Sequence, residues 1–253
     1  MQWTLAITLG GLVVGVLYGM FGVGSALATP VLSLVGVAPL AAVVGPLPGL
    51  LPGSAAGAWA HARAGHVDWR IARLTLVGAF PAAILGAVAS RWIGGPALLL
   101  ASGVMLFVVG TRVLRRDATP DPQRAARRRN SAGFLITTAI GVGFASGLLA
   151  NGGGFLLVPL FLLALGLDMH VATATSLTVA TSLTVPTLAT HALLGDIDWL
   201  VAGWFALGLV PGVVVGTRVA GRVAAPTLKV AFGVVLVAFA TWFTLRQIPA
   251  LVG

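Results

Sequence analysis

Apolar residues run along this chain in long blocks with few polar interruptions. They lie near 3–37, 38–60, 70–92 and 96–114, and again near 132–166, 169–194, 199–220 and 226–245. Most of these blocks approach or exceed the ~20 residues that a helix needs to cross the hydrocarbon core of a bilayer. The pattern predicts an all-α polytopic membrane protein. Between the two sets stands "RRDATPDPQRAARRRN" (115–130), polar and broken by Pro120 and Pro122, which reads as a hydrophilic linker. The organisation is therefore a first membrane repeat over 1–114, a basic linker over 115–131 and a second repeat over 132–253, together one integral membrane domain. The first block has no basic segment ahead of it and continues to about Val37, so it does not read as a signal peptide.

The two sets resemble each other. "HARAGHVDW" at 61–69 aligns with "HALLGDIDW" at 191–199, an offset of 130. At the same offset Pro81 falls on Pro211, Gly86 on Gly216, Pro96 on Pro226 and Gly103 on Gly233. Upstream, Pro30 pairs with Pro159 and Gly24 with Gly153. This is the mark of an internal duplication.

Charge predicts how the copies sit. The 61–73 loop carries Arg63, Arg70 and Arg73, whereas its partner, 191–203, has only Asp196 and Asp198. The 91–99 loop has Arg91 alone, whereas its partner carries Arg218, Arg222 and Lys229. Basic loops face the cytoplasm, so the basic member alternates between copies, as two inverted-topology repeats require. The arginines of the linker make it cytoplasmic. Each repeat then crosses an odd number of times, with both termini on the external side. The block 3–37 would be about 50 Å long as one straight helix, too long for one crossing and short for two. Broken or re-entrant glycine-rich helices resolve this, as a hairpin plus three spans or five short crossings per repeat, giving about 8–10 helical membrane segments.

Composition narrows the chemistry. The chain is 58% hydrophobic and 8% charged, with no cysteine, which excludes disulfides and thiolate sites. Its acids are six aspartates and no glutamate, all in loops or at loop edges, so the spans carry no carboxylate for a cation site or an acidic proton relay. Asp68 and Asp198, each beside a Trp, read as helix caps with an aromatic anchor. The net charge of +9 sits mainly in the linker and in membrane-flanking arginines, so it implies topology, with anionic-lipid contact second, and no nucleic-acid partner. No P-loop, zincin motif or paired carboxylate is present, and no metal or cofactor is expected. "GFASG" at 143–147 is similar to an intramembrane serine-protease motif but has Phe144 where glycine is required, so an enzyme is not expected.

The site prediction rests on the breaks. "NGGGFLLVP" (151–159) and "GVGSALATP" (22–30) occupy equivalent places in the two copies. Irregular backbone at membrane depth survives only where it is buried in protein or lines a wet cavity. A helix starting at Ser25 or Phe155 would aim its free N–H groups into the break, an end that favours an anion. The candidate binding residues are Gly22, Gly24, Ser25, Asn151, Gly152, Gly153 and Gly154. The hydroxyl-rich helix "HVATATSLTVATSLTVPTLATH" adds Thr175, Ser176, Thr178 and Ser182, with Thr175, Thr178 and Ser182 on one face. Against this stands the tendency of membrane Ser and Thr to bond their own i−4 carbonyls. Gly15, Gly19, Gly141, Gly143 and Gly147 read as packing positions. His61 and His191, at equivalent helix ends, read as interfacial, with proton exchange or gating as the alternative.

The paired breaks, followed by "ATATSL" (172–177) and joined to "HARAGHVDW", resemble the sulfite exporter TauE/SafE family of permeases, over nearly the whole chain. Repeat one departs from it at "VVGPLPG" (43–49). The resemblance implies a permease of a bacterial or archaeal inner membrane. It implies a small sulfur-containing or organic anion as substrate: sulfite, thiosulfate, sulfoacetate or similar. The inverted repeats and broken helices imply alternating access. An anion channel of the same architecture is the near rival. The expected partners are the substrate and the lipid bilayer, and a homo-oligomer is compatible with the pattern.

Overall fold

The computed structural model describes residues 2–22, 24–93, 95–114, 121–150 and 154–247. Among the described residues it is all helical: α1 (Gln2–Phe21), α2 (Gly24–Leu34), α3 (Pro39–Val44), α4 (Leu47–Arg63), α5 (Trp69–Ala89), α6 (Gly95–Leu114), α7 (Pro122–Asn130), α8 (Ala132–Leu148), α9 (Gly154–Pro159), α10 (Met169–Leu194), α11 (Trp199–Ala220) and α12 (Ala225–Gln247). A 3₁₀ turn, Ser90–Trp92, extends α5, and a π-helical turn, Leu160–Ala164, extends α9. Among the described residues, five segments are long and apolar enough to cross a membrane: α1, α3 with α4, α5, α10 and α11. A sixth is counted if α7 and α8, which meet at 84°, form one bent span. The protein is a multi-pass helical membrane protein, as the hydrophobic pattern predicts.

The repeated H-x-x-x-G-x-x-D-W motif is a helix-to-helix corner made twice. Gly65 and Gly195 take φ of +74° and +73°, a left-handed conformation that glycine adopts without steric cost. Behind each, the following amide closes on the motif histidine: His66 N on the His61 carbonyl at 3.2 Å and Asp196 N on the His191 carbonyl at 3.1 Å. That is the Schellman ending of a helix. Three residues after each glycine an aspartate starts the next helix. Asp68 accepts from the Arg70 and Ile71 amides at 3.1 and 3.0 Å, and Asp198 from Leu200 and Val201 at 3.0 and 3.1 Å. The capping role predicted for both is met.

Two seams hold the bundle together. In the first, α1 lies along α11, the most extensive helix pairing in the molecule. A Cβ on Gly11, Gly15 or Gly19 would overlap the carbonyl oxygens of Phe205, Leu209 and Val213. A Cβ on Gly208, Gly212 or Gly216 would overlap those of Thr8, Leu12 and Val16. The backbones touch directly because neither face has side chains to keep them apart. The second seam, α5 against α8, uses the same device: Gly78 and Gly86 meet the Ile136 and Phe144 carbonyls, and Gly143 and Gly147 meet those of Ala79 and Ala83. The seams correspond under the duplication, with Gly78 and Gly86 at the positions of Gly208 and Gly216. Each seam pairs a helix of one half with a helix of the other, so the halves interlock. The packing reading holds for Gly15, Gly19, Gly143 and Gly147. It fails for Gly141, whose Cβ position is open.

The two halves differ at one helix. Where repeat two has a single 26-residue helix, α10, repeat one has α3 and α4 separated by a turn at Gly45–Pro46. Pro46 and Pro48 each lack an amide proton, and the helix restarts there with no donor lost from an interior turn. The linker is also more ordered than its composition predicts. Over 122–130 it forms α7, started by the Asp121 carboxylate on the Gln123 amide (3.0 Å) with Pro122 in the first turn. Arg70 fastens α7 to the start of α5, donating to the Arg129 and Asn130 carbonyls at 2.9 and 3.1 Å.

Because its Cβ would strike backbone, Gly15→Val separates the first seam. The expected cost is about 2 kcal/mol or more, visible as loss of monodisperse protein and a lower melting temperature in detergent. Gly141→Ala leaves the melting temperature unchanged or slightly raised. Equal behaviour of the two variants would remove the seam from the account. Asp198→Ala removes both cap bonds of α11 and lowers stability by about 1 kcal/mol, measured by the same melt.

Candidate functional site

Helix α1 ends at Phe21, Gly22 takes φ +71°, and α2 begins at Gly24. In the other half α8 ends at Leu148, Ala150 takes φ +50°, and α9 begins at Gly154. Both helix starts fall within one residue of their predicted places. A positive φ at alanine is a strained conformation, of a kind that clusters at functional sites. Asn151, Gly152 and Gly153 lie outside the described residues. For Gly24, Ser25 and Gly154 only the backbone is described, as the first residues of α2 and α9.

The break at Gly22 is enclosed by the other half. A Cβ there would come to 3.1 Å from Val158 of α9 and 3.3 Å from Thr173 of α10. The Thr173 hydroxyl reaches the Phe21 carbonyl at 3.4 Å, a long bond onto the last turn before the break. The Phe21 ring lies 5.6 Å from Phe232 of α12. Helices α2 and α9 touch each other. The two short helices and the break between α1 and α2 therefore form one region at the junction of the halves.

The hydroxyl row of α10 is engaged with its own backbone. Thr178 donates to the Ala174 carbonyl at 2.9 Å, Thr181 to Leu177 at 2.8 Å and Ser182 to Thr178 at 3.3 Å. Thr184, Thr187 and Thr190 do the same to the carbonyls four residues back. This back-bonding leaves lone pairs facing outward, so these groups offer an incoming molecule acceptors until a proton is re-aimed. Thr175 is fully buried, and its Oγ1 accepts from the Asp68 amide at 3.0 Å, tying α10 to the first corner. Ser176 is also fully buried. Thr178 and Ser182 are half-buried, so the shared face expected for Thr175, Thr178 and Ser182 runs from the interior toward a rim.

Three other hydroxyls stand at the breaks; Ser146 belongs to "GFASG", and none of the three is marked as a binding group by sequence pattern. Tyr18 in the last turn of α1, Thr29 in α2 and Ser146 in the last turn of α8 are buried, and none has a hydrogen-bond partner among the described residues. Tyr18 lies beside Ser54, but Ser54 donates to the Leu51 carbonyl at 3.1 Å and no bond joins the two hydroxyls. A buried polar group without a partner is costly, and a ligand or water is a usual reason for it. Their signal in sequence is slight: each lies within seven residues of a glycine break. With no partner at Ser146, no histidine activates it as a nucleophile.

The motif histidines are at opposite ends of the molecule. His191, fully buried, pairs through Nδ1 with Asp196 at 3.0 Å beside the start of α11. His61 lines a small pocket with His66, His170 and Arg218 at the other end of α11, about 30 Å away at 1.5 Å per residue. Both are buried, deeper than an interfacial role predicts. The basic end also gathers Arg129 with Lys229 and Arg112 with Arg128 around two further pockets.

Comparison with known proteins agrees with this architecture. The family model for the sulfite exporter TauE/SafE matches residues 7–243. A probable membrane transporter protein of Xylella fastidiosa (strain 9a5c) is 34% identical, covering 98% of this chain and 98% of its own length. In Bacillus subtilis (strain 168), the probable membrane transporter protein YjnA is 24% identical over 87% of this chain and 91% of its own. YunE, another probable membrane transporter protein there, is 25% identical over 62% of each. No solved structure matches the chain. An unbroken match from the first span to the last, on a chain whose helix breaks and interlocked halves suit passage of a solute, has one reading: this chain belongs to the sulfite exporter TauE/SafE family and is a membrane transporter, not an enzyme.

Proposed function

We propose that the protein is a secondary transporter for a small sulfur-containing or organic anion such as sulfite, thiosulfate or sulfoacetate. The anion is held at the paired breaks and exposed alternately to the two sides of a bacterial inner membrane. The observation that carries this reading is the junction itself. Two short helices begin at glycine-rich breaks, touch each other, and are flanked by the unpartnered hydroxyls of Tyr18, Thr29 and Ser146. Free amides at the starts of α2 and α9 provide the partial positive charge an anion needs where no side-chain cation stands. The hydroxyls supply neutral donors at no cost of buried charge. Gly22, Gly24 and the 152–154 triplet let the anion approach the backbone. Thr175, Ser176, Thr178 and Ser182 are the further candidate contacts on α10, Thr178 and Ser182 as donors once their protons turn from the carbonyls behind them.

Opposed topology of the halves is supported by the motif histidines, equivalent in sequence and at opposite ends of α11. It is supported also by the gathering of basic residues from both halves at one end, which is the cytoplasmic one on the positive-inside rule. The linker then faces the cytoplasm, and the start of α1, where Thr8 donates to the Trp204 carbonyl at 3.1 Å, faces outward with both termini. Alternating access follows from rocking of one interlocked half against the other around the junction.

Thr29→Val keeps the shape and removes the hydroxyl. Uptake of labelled sulfite, thiosulfate and sulfoacetate should fall about tenfold for the transported anion, the worth of one hydrogen bond to a charged ligand, with the melting temperature unchanged. Gly153→Val should abolish uptake while the protein still reaches the membrane. Full transport by both variants would take the breaks out of the site. The chain is cysteine-free, so single cysteines report topology directly. In intact cells a membrane-impermeant maleimide should label Gln2→Cys and leave Arg124→Cys unlabelled. The reverse pattern would invert the proposed orientation.

A further inference from the structure

Four groups that the transport reading does not use meet at the basic end. His61 closes α4, His66 stands in the corner after it, His170 is in the first turn of α10, and Arg218 is in the last turn of α11. They line a cavity of about 120 Å³. The His66 ring stacks on His170 at 5.5 Å between centroids and lies 6.2 Å from His61. His61 is 5% exposed, and its Nε2, with Nδ1 of His66 and Nδ1 of His170, is buried and has no hydrogen-bond partner. Both halves of the molecule contribute.

No acid balances these groups. From the corner, Asp68 lies two residues from His66, but its carboxylate caps α5 on the Arg70 and Ile71 amides. From α10, Asp168 caps its own helix on the His170 amide at 2.9 Å. From α4, Arg63 lies over the Trp59 ring at 4.2 Å. Arg222 follows in the turn after α11, outside the lining of the cavity. From α1, the Gly19 backbone meets His61. Among the described residues the only side-chain ion pair is His191 with Asp196, at the far end. Repeat two has that aspartate where repeat one has His66, so the second copy neutralises its motif histidine internally and the first does not. Three imidazoles this close repel once more than one is protonated, and an anion between them and Arg218 removes the repulsion. Proton uptake and anion binding are then one linked event.

We propose that His61, His66, His170 and Arg218 form a proton-linked binding site for a small inorganic oxyanion, separate from the helix breaks and at the basic end of the molecule. Imidazolium N–H groups and the guanidinium bind the oxygens, the cavity admits an ion of sulfite or sulfate size, and affinity rises as pH falls. The site stands whether or not the helix breaks carry the transported anion.

Thermal-shift titration of the full chain in zwitterionic-lipid nanodiscs, with sodium sulfate, sulfite and thiosulfate at about pH 5.5 and about pH 8, tests this on either side of the histidine range. Wild-type protein should bind at least one of these ions about tenfold tighter at the lower pH. His66→Gln with His170→Gln should bind with a clearly reduced pH dependence, and Arg218→Gln should bind more weakly at both pH values. Three outcomes overturn the proposal. One is no oxyanion binding by the wild type. Another is an unaltered pH slope in the double histidine variant. The third is a shift seen only when anionic phosphatidylglycerol replaces the zwitterionic lipid, which assigns the basic groups to a headgroup. Uptake is not the readout, so failure of the transport reading leaves this result interpretable.

Discussion

Everything in this fold depends on helix backbones touching without side chains between them. Lipid tails are as apolar as leucine, so burial alone does not drive helices together inside a bilayer, and association relies on close packing. The α1–α11 and α5–α8 seams achieve it by placing carbonyl oxygens where a Cβ would stand, at Gly15 and Gly212 in one and at Gly86 and Gly147 in the other. Each seam joins the first half to the second. The short helices α2 and α9 hang from the ends of α1 and α8, so where the breaks sit is set by these contacts.

The junction brings the helix breaks together without fixed charge. A buried cation would be costly at that depth, and the described helices bring none to the breaks. What they bring is backbone, through the restarts at Gly24 and Gly154, and three hydroxyls with nothing to bond. The serines and threonines of α10 play a different part. Most have their protons on the carbonyls four residues back, which satisfies them in lipid and makes the helix self-sufficient.

Much of this was legible from residue order. The breaks were readable because glycine clusters interrupt apolar runs at matching places. The corners were readable because His, Gly, Asp and Trp recur at fixed spacing, and each does a job set by local geometry: left-handed glycine, capping aspartate. Hydroxyl function in α10 was not readable, since whether a Thr proton turns to its own helix or to a neighbour depends on what lies across from it. Tyr18 and Thr29 were equally silent, because one hydroxyl in an apolar run has no pattern, and only its burial without a partner distinguishes it; Ser146 stood in a pattern that pointed to a nucleophile instead. Gly141 looked like its neighbours Gly143 and Gly147 and faces open space, because the side of the helix on which a contact forms is a tertiary fact.

The sequence by itself determined that the chain is a helical membrane protein with two interrupted apolar blocks, since hydrophobic length, proline and glycine act through the local backbone. It also determined the family. Tertiary structure alone decided which faces meet, that the duplicated halves interlock by exchanging helices, and that two histidines with the same motif position have different partners. Asp196 answers His191 from five residues away, whereas His61 faces His66, whose ring stacks on His170 from the other half of the chain. Contacts of that range depend on how helices cross, and no spacing along one segment encodes them.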